Sequence, residues 1–394
     1  MLTNKSTELS NPIFLESCLK SPELGPCALF FSGGSALKEF SRILKQYSHN
    51  TIHLVTPFDS GGSSAKLRQA FSMPSVGDLR SRIMSLADEG LDDHIPIYNL
   101  FVHRLPTDRT KEELTQELLS MIEGNNSLTQ PIQNPMRKLI CSQLGSFYDA
   151  MPVNFDLCGA SIGNLILTGG YLNHHRELDK ISFMFSKLIG AKGIVRTTIS
   201  DDLHLSATLE DGTQLIGQHR ITGKETLPIS SPINRLEISS TPDKFTSTTA
   251  HLSKSNRKLI DMADIICFPP GSFYSSLIAN LLPQGVGKAI AKNPAPKVYI
   301  PSLGNDPEQL GMTLDTAIDT LLDYLKIDAG TACHNNKLLN FVLIDSKNGN
   351  YNSSISQDLL DPLGIRLIDT TLITESSAPY YDAELLAGAL LSLA

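Results

Sequence analysis

The sequence predicts an α/β fold in three layers: a mostly parallel sheet, a helical insertion and a small antiparallel β layer. Two observations carry this expectation. Residues 27–64 read strand, glycine turn, helix, strand, glycine turn, a βαβ unit with its turns at the strand ends. After a long helical stretch and a block of short strands, the strand–turn–helix order resumes at Asp264 and runs to the C-terminus. A sheet assembled from such units is Rossmann-like.

The elements follow in order. Residues 1–24 form a polar leader with a short amphipathic piece at Ile13–Leu19. Cys27–Phe31 is an apolar strand ended by Ser32-Gly33-Gly34-Ser35. In the next stretch Leu37, Phe40, Ile43, Leu44 and Tyr47 fall on one face of a helix. Thr51–Thr56 is the second strand, and Pro57 to Ser64 its turn. The middle of the chain predicts helices at 78–88, 111–123, 135–149, 161–173 and 177–189, with an insertion over about 90–192. Gly193–Thr198, Leu203–Leu209 and Thr213–Gly217 are strands of a β-rich layer reaching about residue 250. Asp211-Gly212 joins the last two as a hairpin turn. Residues 222–250, rich in Ser, Thr and Pro, read as an irregular excursion. Strands are then expected at Asp264–Phe268, Lys297–Ile300, Leu338–Leu343 and Gly364–Ile368, with helices at Phe273–Leu281, 309–325 and 382–393. Residues 25–394 are expected to form one enlarged α/β domain.

Composition bounds the function. Apolar residues make up 41% and charged residues 19%, which excludes disordered, collagen-like and coiled-coil classes. No apolar run is long enough to span a bilayer, so no membrane association is expected. With 33 Lys+Arg against 41 Asp+Glu the net charge is −8, a poor match to nucleic acid. The six cysteines are scattered without a C-x-x-C pair, and the N-terminus lacks the apolar core of a signal peptide. A cytoplasmic protein with free thiols is therefore expected. His174-His175 point in different directions on a helix and suggest no metal site.

Three Gly/Ser turns end three strands of this sheet, and in a parallel sheet they share the edge where ligands bind. Glycines let a ligand approach the backbone, and the following helix N-termini supply N–H groups for an anion. A phosphate-bearing ligand is the expectation. The first turn, Gly33-Gly34-Ser35, is neither G-x-G-x-x-G nor a G-K-[ST] P-loop. In the second, Asp59 stands before Ser60 and the run Gly61, Gly62, Ser63 and Ser64. Asp59 could bind a ribose hydroxyl, hold Mg²⁺ or cap a helix. Lys66 and Arg68 follow within two helical turns. Arg80, early in the helix that Asp78 would cap, opposes the helix dipole unless an anion faces it. Ser161 opens a further helix and places Asn164 in its first turn. The third turn, Gly271 to Ser275 with Ser272 and Tyr274, would close the far side.

The segments DSGGSSAKLR (59–68), VGDLRSRIMSLAD (76–88), SIGNLILTG (161–169), DDLHLSATLEDGTQLIGQ (201–218) and PPGSFYSSLIANLL (269–282) resemble, in content and order, the CofD-like family. That family contains 2-phospho-L-lactate transferases and bacterial gluconeogenesis factors that bind nucleotide sugars. The likeness spans residues 27–325 and leaves the tail after about 330 outside it; its motifs look more like the bacterial branch. This sequence departs from that branch at Ser32–Leu37, where GGGTGL is usual, at Ser60 in place of a second acid, and at Ala65, Ser81 and Ala160. The resemblance implies a nucleotide ligand, GDP/GTP or a UDP-sugar, with Mg²⁺ as the cofactor. It implies a transferase moving a phospholactate-type group from a nucleoside-diphosphate carrier to an acceptor hydroxyl, with Asp59 catalytic. The alternative it implies is a non-catalytic nucleotide-sugar-binding regulatory factor. Either reading leaves room for a homo-oligomer or a protein partner.

Overall fold

The computed structural model describes residues 12–34, 36–88, 94–223 and 226–394. The helix Pro12–Lys20 (α1) precedes the strand Ala28–Ser32 (β1), the helix Lys38–Tyr47 (α2) and the strand Ile52–Val55 (β2). Among the described residues seven α-helices then intervene: Gly62–Phe71 (α3), Gly77–Ser85 (α4), Ile95–Val102 (α5), Lys111–Ile122 (α6), Met136–Ala150 (α7), Ile162–Asn173 (α8) and Leu178–Leu188 (α9). Ile194–Thr197 (β3) returns to the sheet. His204–Leu209 (β4), Gln214–Ile216 (β5), the short helix Gln218–Thr222 (α10) and Ile233–Ser239 (β6) build the antiparallel layer. The chain continues through Lys254–Asp261 (α11), Ile265–Phe268 (β7), a π-helical turn Phe273–Ile278 running into Ala279–Leu281 (α12), Val286–Lys292 (α13) and Lys297–Tyr299 (β8). It ends with Leu314–Ala329 (α14), Phe341–Ile344 (β9), Gln357–Leu360 (α15), Arg366–Asp369 (β10) and Ala383–Leu391 (α16).

The large sheet has the order β10-β9-β8-β7-β1-β2-β3, and every pairing in it is parallel. The chain winds outward from β1 in one direction as far as β3 and then restarts beside β1 with β7. The order therefore reverses between β1 and β7, the place where doubly wound sheets open a crevice beyond their strand C-termini.

Side-chain alternation explains the layering. Ala28, Phe30, Ile265, Cys267 and Leu343 face α2 and α16, meeting Leu37, Phe40, Leu44, Leu386 and Leu390. Leu29, Phe31, Ile266, Phe268 and Val342 face the other way, onto α13, α14 and the antiparallel sheet. Strands covered on both faces read as continuous apolar runs, as these do. A third cluster holds the inserted helices around α8, whose residues from Ile162 to Tyr171 are all buried. The edge strands are blunted by side chains, a protection against further pairing. Ser182 and Asn256 engage the carbonyls of Val195, Thr197 and Thr198 beside β3, and Gln357 engages the backbone of Ile365 and Leu367 at β10.

Three expectations are corrected. The strand expected at Gly193–Thr198 belongs to the parallel sheet, because its residues register with Ile52–Val55 rather than with β4. Residues 222–250 contain β6, paired with β4. A register shift opposite Thr208 and Leu209 breaks its alternation, so Ile233, Leu236 and Ile238 did not signal a strand. The helix expected from Phe273 begins as a π-helical turn, with Leu277 N–H reaching back to the Ser272 carbonyl at 3.2 Å. The helix α5 had no counterpart in the pattern, since IPIYNLFV has no clear polar face. All six cysteines are unpaired, with Cys18 and Cys267 buried. Among the described residues no helix is long and apolar enough to cross a membrane.

Asn280 ties the sheet to the π-helical turn. Fully buried, it donates through Nδ2 to the Ser32 carbonyl at 3.0 Å and the Ser276 carbonyl at 2.8 Å, and accepts from the Thr198 hydroxyl. Asn280→Leu leaves these groups short of partners and should cost about 3 kcal/mol in urea unfolding; a loss below about 1 kcal/mol would contradict this role.

Candidate functional site

A cleft of about 350 Å³ opens beyond the C-terminal ends of β1 and β2, next to the switch point. Its floor is the β1 turn, Gly33-Gly34, and the β2 turn with the start of α3, from Asp59 and Gly61 to Ser64. The helical insertion supplies one wall with Arg80, Arg104 and Asn164, and α10 supplies another with Gln218, His219 and Thr222. Ser272 and Ser276 come from the turn after β7.

The cleft takes its shape from the first turns of α4. Asp78, read from the sequence as an N-cap, lies inside the helix that begins at Gly77 and instead turns back to the sheet. It accepts from the Thr56 hydroxyl at 3.0 Å and from the Gly34 N–H. Ser81 donates to the Gly34 carbonyl at 3.2 Å, and the fully buried Arg82 donates to the Gly33 carbonyl at 3.0 Å and to Ser41 Oγ at 2.6 Å. The glycines follow from this proximity. A Cβ on Gly34 would stand 2.5 Å from Asp78 Oδ1, and one on Gly77 would stand 2.7 Å from Asp59 Oδ2. Neither position accommodates a side chain.

Charges of both signs meet here. Asp59 Oδ1 accepts the Gly61 N–H at 3.2 Å. Burial, and then the neighbouring Asp59 carboxylate, push the Asp78 carboxyl up to about 6, against the opposing pull of Thr56, Arg82 and Gly34. Burial, and then Arg104, bring the Arg80 guanidinium down to about 10. Arg80 donates to the Phe101 carbonyl at 3.0 Å and Arg104 to the Gly159 carbonyl at 3.1 Å. Asn164 is 2% exposed, and its Oδ1 has no hydrogen-bond partner among the described residues. The first turn of α3 has no side-chain cap at its N-cap, Gly61, and its residues Gly61 to Ser64 line the cleft.

The expected site residues thus divide. Gly33, Gly34, Asp59, Gly61, Gly62, Ser63, Ser64, Arg80, Asn164 and Ser272 line the cleft, and Ser35 lies outside the described residues. Arg68 does not line it. Its guanidinium is buried against Asp202 at 2.9 Å, the carbonyls of Leu203 and Phe58, and His204, an ion pair that joins α3 to the antiparallel layer. Lys66 pairs with Asp156 at 2.5 Å. Ser60 is engaged by His219 at 2.8 Å, and Ser161 caps α8 by position, with its N–H on Ser63 Oγ at 3.3 Å.

The third turn is changed the most. Gly271 is held from both its N–H and its carbonyl by Ser302. Tyr274 points into the core, with its hydroxyl on the Ile233 carbonyl at 3.2 Å. Asp306 accepts the Phe273 N–H at 2.8 Å, and Glu308 accepts the N–H groups of Tyr274 and Ser275 at 2.9 and 2.7 Å and the Ser275 hydroxyl at 2.5 Å. The protein's own carboxylates fill this helix start, so it is not available to a phosphate. Burial and the neighbouring Asp306 push the Glu308 carboxyl up to about 7, against these donors.

Arg104, His219 and Thr222 were missed because nothing in their local sequence marks them. Gln218 and Ser276 were not singled out although they stand inside the segments 201–218 and 269–282, Ser276 one helical turn after Ser272. Among the described residues no group of three or more His, Cys, Asp or Glu is placed to hold a metal ion.

Fold and site together define a doubly wound α/β protein with a polar cleft, lined by Arg80 and Arg104, next to its switch point. Comparison with known proteins makes this specific: residues 29–373 match the family model described as 2-phospho-L-lactate transferase CofD, and the chain belongs to the CofD family. The matched residues run past residue 330 and take in β9 and β10, which the motifs alone had left outside. A relative from Nostoc sp. is 29% identical over 332 residues, 84% of this chain and 57% of its own length, so the chain spans little more than half of that relative. The gluconeogenesis factor of Bacillus subtilis is 28% identical over 290 residues, covering 72% of this chain and 69% of that protein. A crystal structure of a UPF0052 family member from Bacillus halodurans superposes with a TM-score of 0.67 at 21% identity. It covers 93% of this chain and 99% of that one, a likeness of fold.

The Asp78 carboxyl yields a test. Its value in the fold, about 6, lies above the ordinary 3.8. The folded state therefore binds this proton more tightly, and the stabilisation is present below about pH 4 and lost as pH rises through 6. Asp78→Asn removes the titration. Unfolding free energy measured from pH 7 to 4.5 should show wild type gaining about 1–2 kcal/mol relative to the variant on acidification. Parallel curves would show that the carboxyl is not raised.

Proposed function

We propose that the cleft binds a nucleotide through its diphosphate, and that the protein acts as a nucleotide-sugar-binding factor of the gluconeogenesis-factor type. The observation that carries this reading is the convergence of Arg80, Arg104 and the glycine- and serine-rich first turn of α3 on one cleft. Oriented N–H groups and two guanidiniums are the donor set that a diphosphate takes. The volume, about 350 Å³, suits one small ligand rather than a polymer. Asp78 favours the non-catalytic form, because its oxygens are already committed to Thr56 and Gly34 and hold the site together.

A transferase reading has its own support in Asp59, whose carboxylate opens onto the cleft beside the α3 amides. Mg²⁺ commonly takes one or two carboxylates together with ligand phosphates, and Asp59 fits that pattern. In this reading the α3 amides and arginines would stabilise charge on a departing phosphate, and Asp59 would orient an acceptor hydroxyl, directly or through Mg²⁺. The description of the family model supports this chemistry.

Thermal shift and calorimetry with UDP-sugars, GDP and GTP, with Mg²⁺ or EDTA, separate the two. The factor reading expects binding of a UDP-sugar that survives EDTA, with no turnover by ³¹P NMR. Arg80→Ala and Arg104→Ala should each weaken that binding about 10- to 100-fold, the loss of one charged hydrogen-bonding partner. Mg²⁺-dependent binding of a guanine nucleotide, with consumption of a carrier when an acceptor alcohol is added, would establish the transferase instead. No binding of any nucleotide would overturn both.

A further inference from the structure

A second hollow, of about 780 Å³, lies between the outer edge of β6 and α14 and shares no lining residue with the cleft. Its apolar surface comes from Leu236, Ile238, Met312 and Tyr324, with Leu310 and Ile327 at its mouth, 43% and 77% exposed. The charges around it are mostly of one sign. Glu210, Glu237 and Asp323 line it, and Arg235, the one cation among its described lining residues, is tied to Glu237 at 3.0 Å. Glu210 and Asp323 are exposed and form no ion pair among the described residues. Negative charge continues along α14, where Asp315, Asp319 and Asp323 recur at four-residue spacing; burial, and then Asp323 and Asp315, push the Asp319 carboxyl up. An exposed apolar surface in an acidic surround is complementary to a partner that is both apolar and cationic.

The edge of β6 decides the form of that partner. A strand added along it would need open N–H and carbonyl groups. The Leu236 N–H instead donates to the Tyr324 hydroxyl at 2.7 Å, and that hydroxyl donates to the Leu236 carbonyl at 3.4 Å. Further along, the Ile238 carbonyl accepts the Thr248 N–H at 3.2 Å, and the Ser240 N–H donates to the Thr246 carbonyl at 2.9 Å. Strand addition would have to displace α14 and the segment 246–248, whereas a helix satisfies its own backbone. We propose that this groove docks a cationic amphipathic helix of a partner protein, with its apolar face on Tyr324, Leu310 and Ile327 and its Lys or Arg side chains toward Glu210 and Asp323. The inference goes beyond the nucleotide reading and does not depend on it.

The test is fluorescence anisotropy of the full chain with three labelled peptides of equal length: Leu and Lys at helical spacing, Leu and Glu at helical spacing, and Leu and Lys in strict alternation. The first should bind and the second should not; the third, which presents its apolar side chains at the strand period, should bind at least about 5-fold more weakly. Asp323→Lys, Glu210→Lys and Ile327→Ser should each weaken binding of the first peptide about 5- to 20-fold. Glu112→Lys, a charge reversal on the distant α6, should change it by less than about 2-fold. All four side chains are exposed, and circular dichroism checks that each variant keeps the fold. An equal loss in Glu112→Lys, or no loss in the groove variants, would trace binding to the net charge of −8 and overturn the groove. Alternating and helical peptides that bind alike overturn the helical partner, and a first peptide that does not bind overturns the inference outright. Sedimentation that finds a dimer separated by Ile327→Ser makes a second copy of the chain the occupant and overturns it too. None of these outcomes touches nucleotide binding, which is measured separately in the cleft.

Discussion

The cleft exists because the first turns of α4 grip the end of β1. Asp78 accepts the Gly34 N–H, Ser81 and Arg82 donate to the carbonyls of Gly34 and Gly33, and Asp78 reaches β2 through Thr56. A strand end is normally followed by a loop that wanders; here it is clamped by side chains of a helix belonging to the insertion. The clamp brings the Gly34 backbone and the Asp78 carboxylate closer than a Cβ allows, which is why position 34 is a glycine. It also costs electrostatic energy, since Asp78 and Asp59 share a confined space. Arg82 behind the turn offsets part of that cost, and is itself lowered to about 10 by its burial.

The same logic separates helix starts that can serve a ligand from those that cannot. Helix N-termini carry unsatisfied N–H groups and a partial positive charge, and something must meet them. At the π-helical turn after β7 the protein meets them itself, with Asp306 and Glu308. At α3 Asp59 accepts the Gly61 N–H, no side chain caps the helix at its N-cap, and the first turn lines the cleft. Two turns that look alike as sequence, Gly61–Ser64 and Gly271–Ser275, therefore stand in different surroundings. The acids that decide the matter lie more than 30 residues beyond the second turn.

Much of the fold was legible. Paired apolar runs such as ALFF and IICF are buried on both faces, so their apolar character is unbroken and bounded by glycine turns. The helices α2 and α9 carry strong apolar periodicity. Reading stopped where one residue of register shift scrambled β6 and where α5 lacked a polar face. In the site, Gly33, Asp59, Gly61 and Arg80 could be read because turns at parallel strand ends share one edge. Arg68 looked equally suitable, two turns into the right helix, but Asp202 takes its charge. Its partner lies in the loop before β4, 134 residues away, which sequence spacing does not reveal.

By itself, then, the sequence determined the strand and helix periods, the glycine turns that must lie at one edge of a parallel sheet, and the family motifs. These are local properties, set by the two-residue period of strands, the 3.6-residue period of helices and the steric freedom of glycine. Only the tertiary structure decided which cations and amides face the cleft and which are spent inside the protein. Charge is satisfied through space: Arg68, Glu308 and Asp78 take partners from segments brought close by the sheet order, and His219 reaches Ser60 across 159 residues. The turns could be located from neighbouring residues, but their availability to a ligand depended on residues far along the chain.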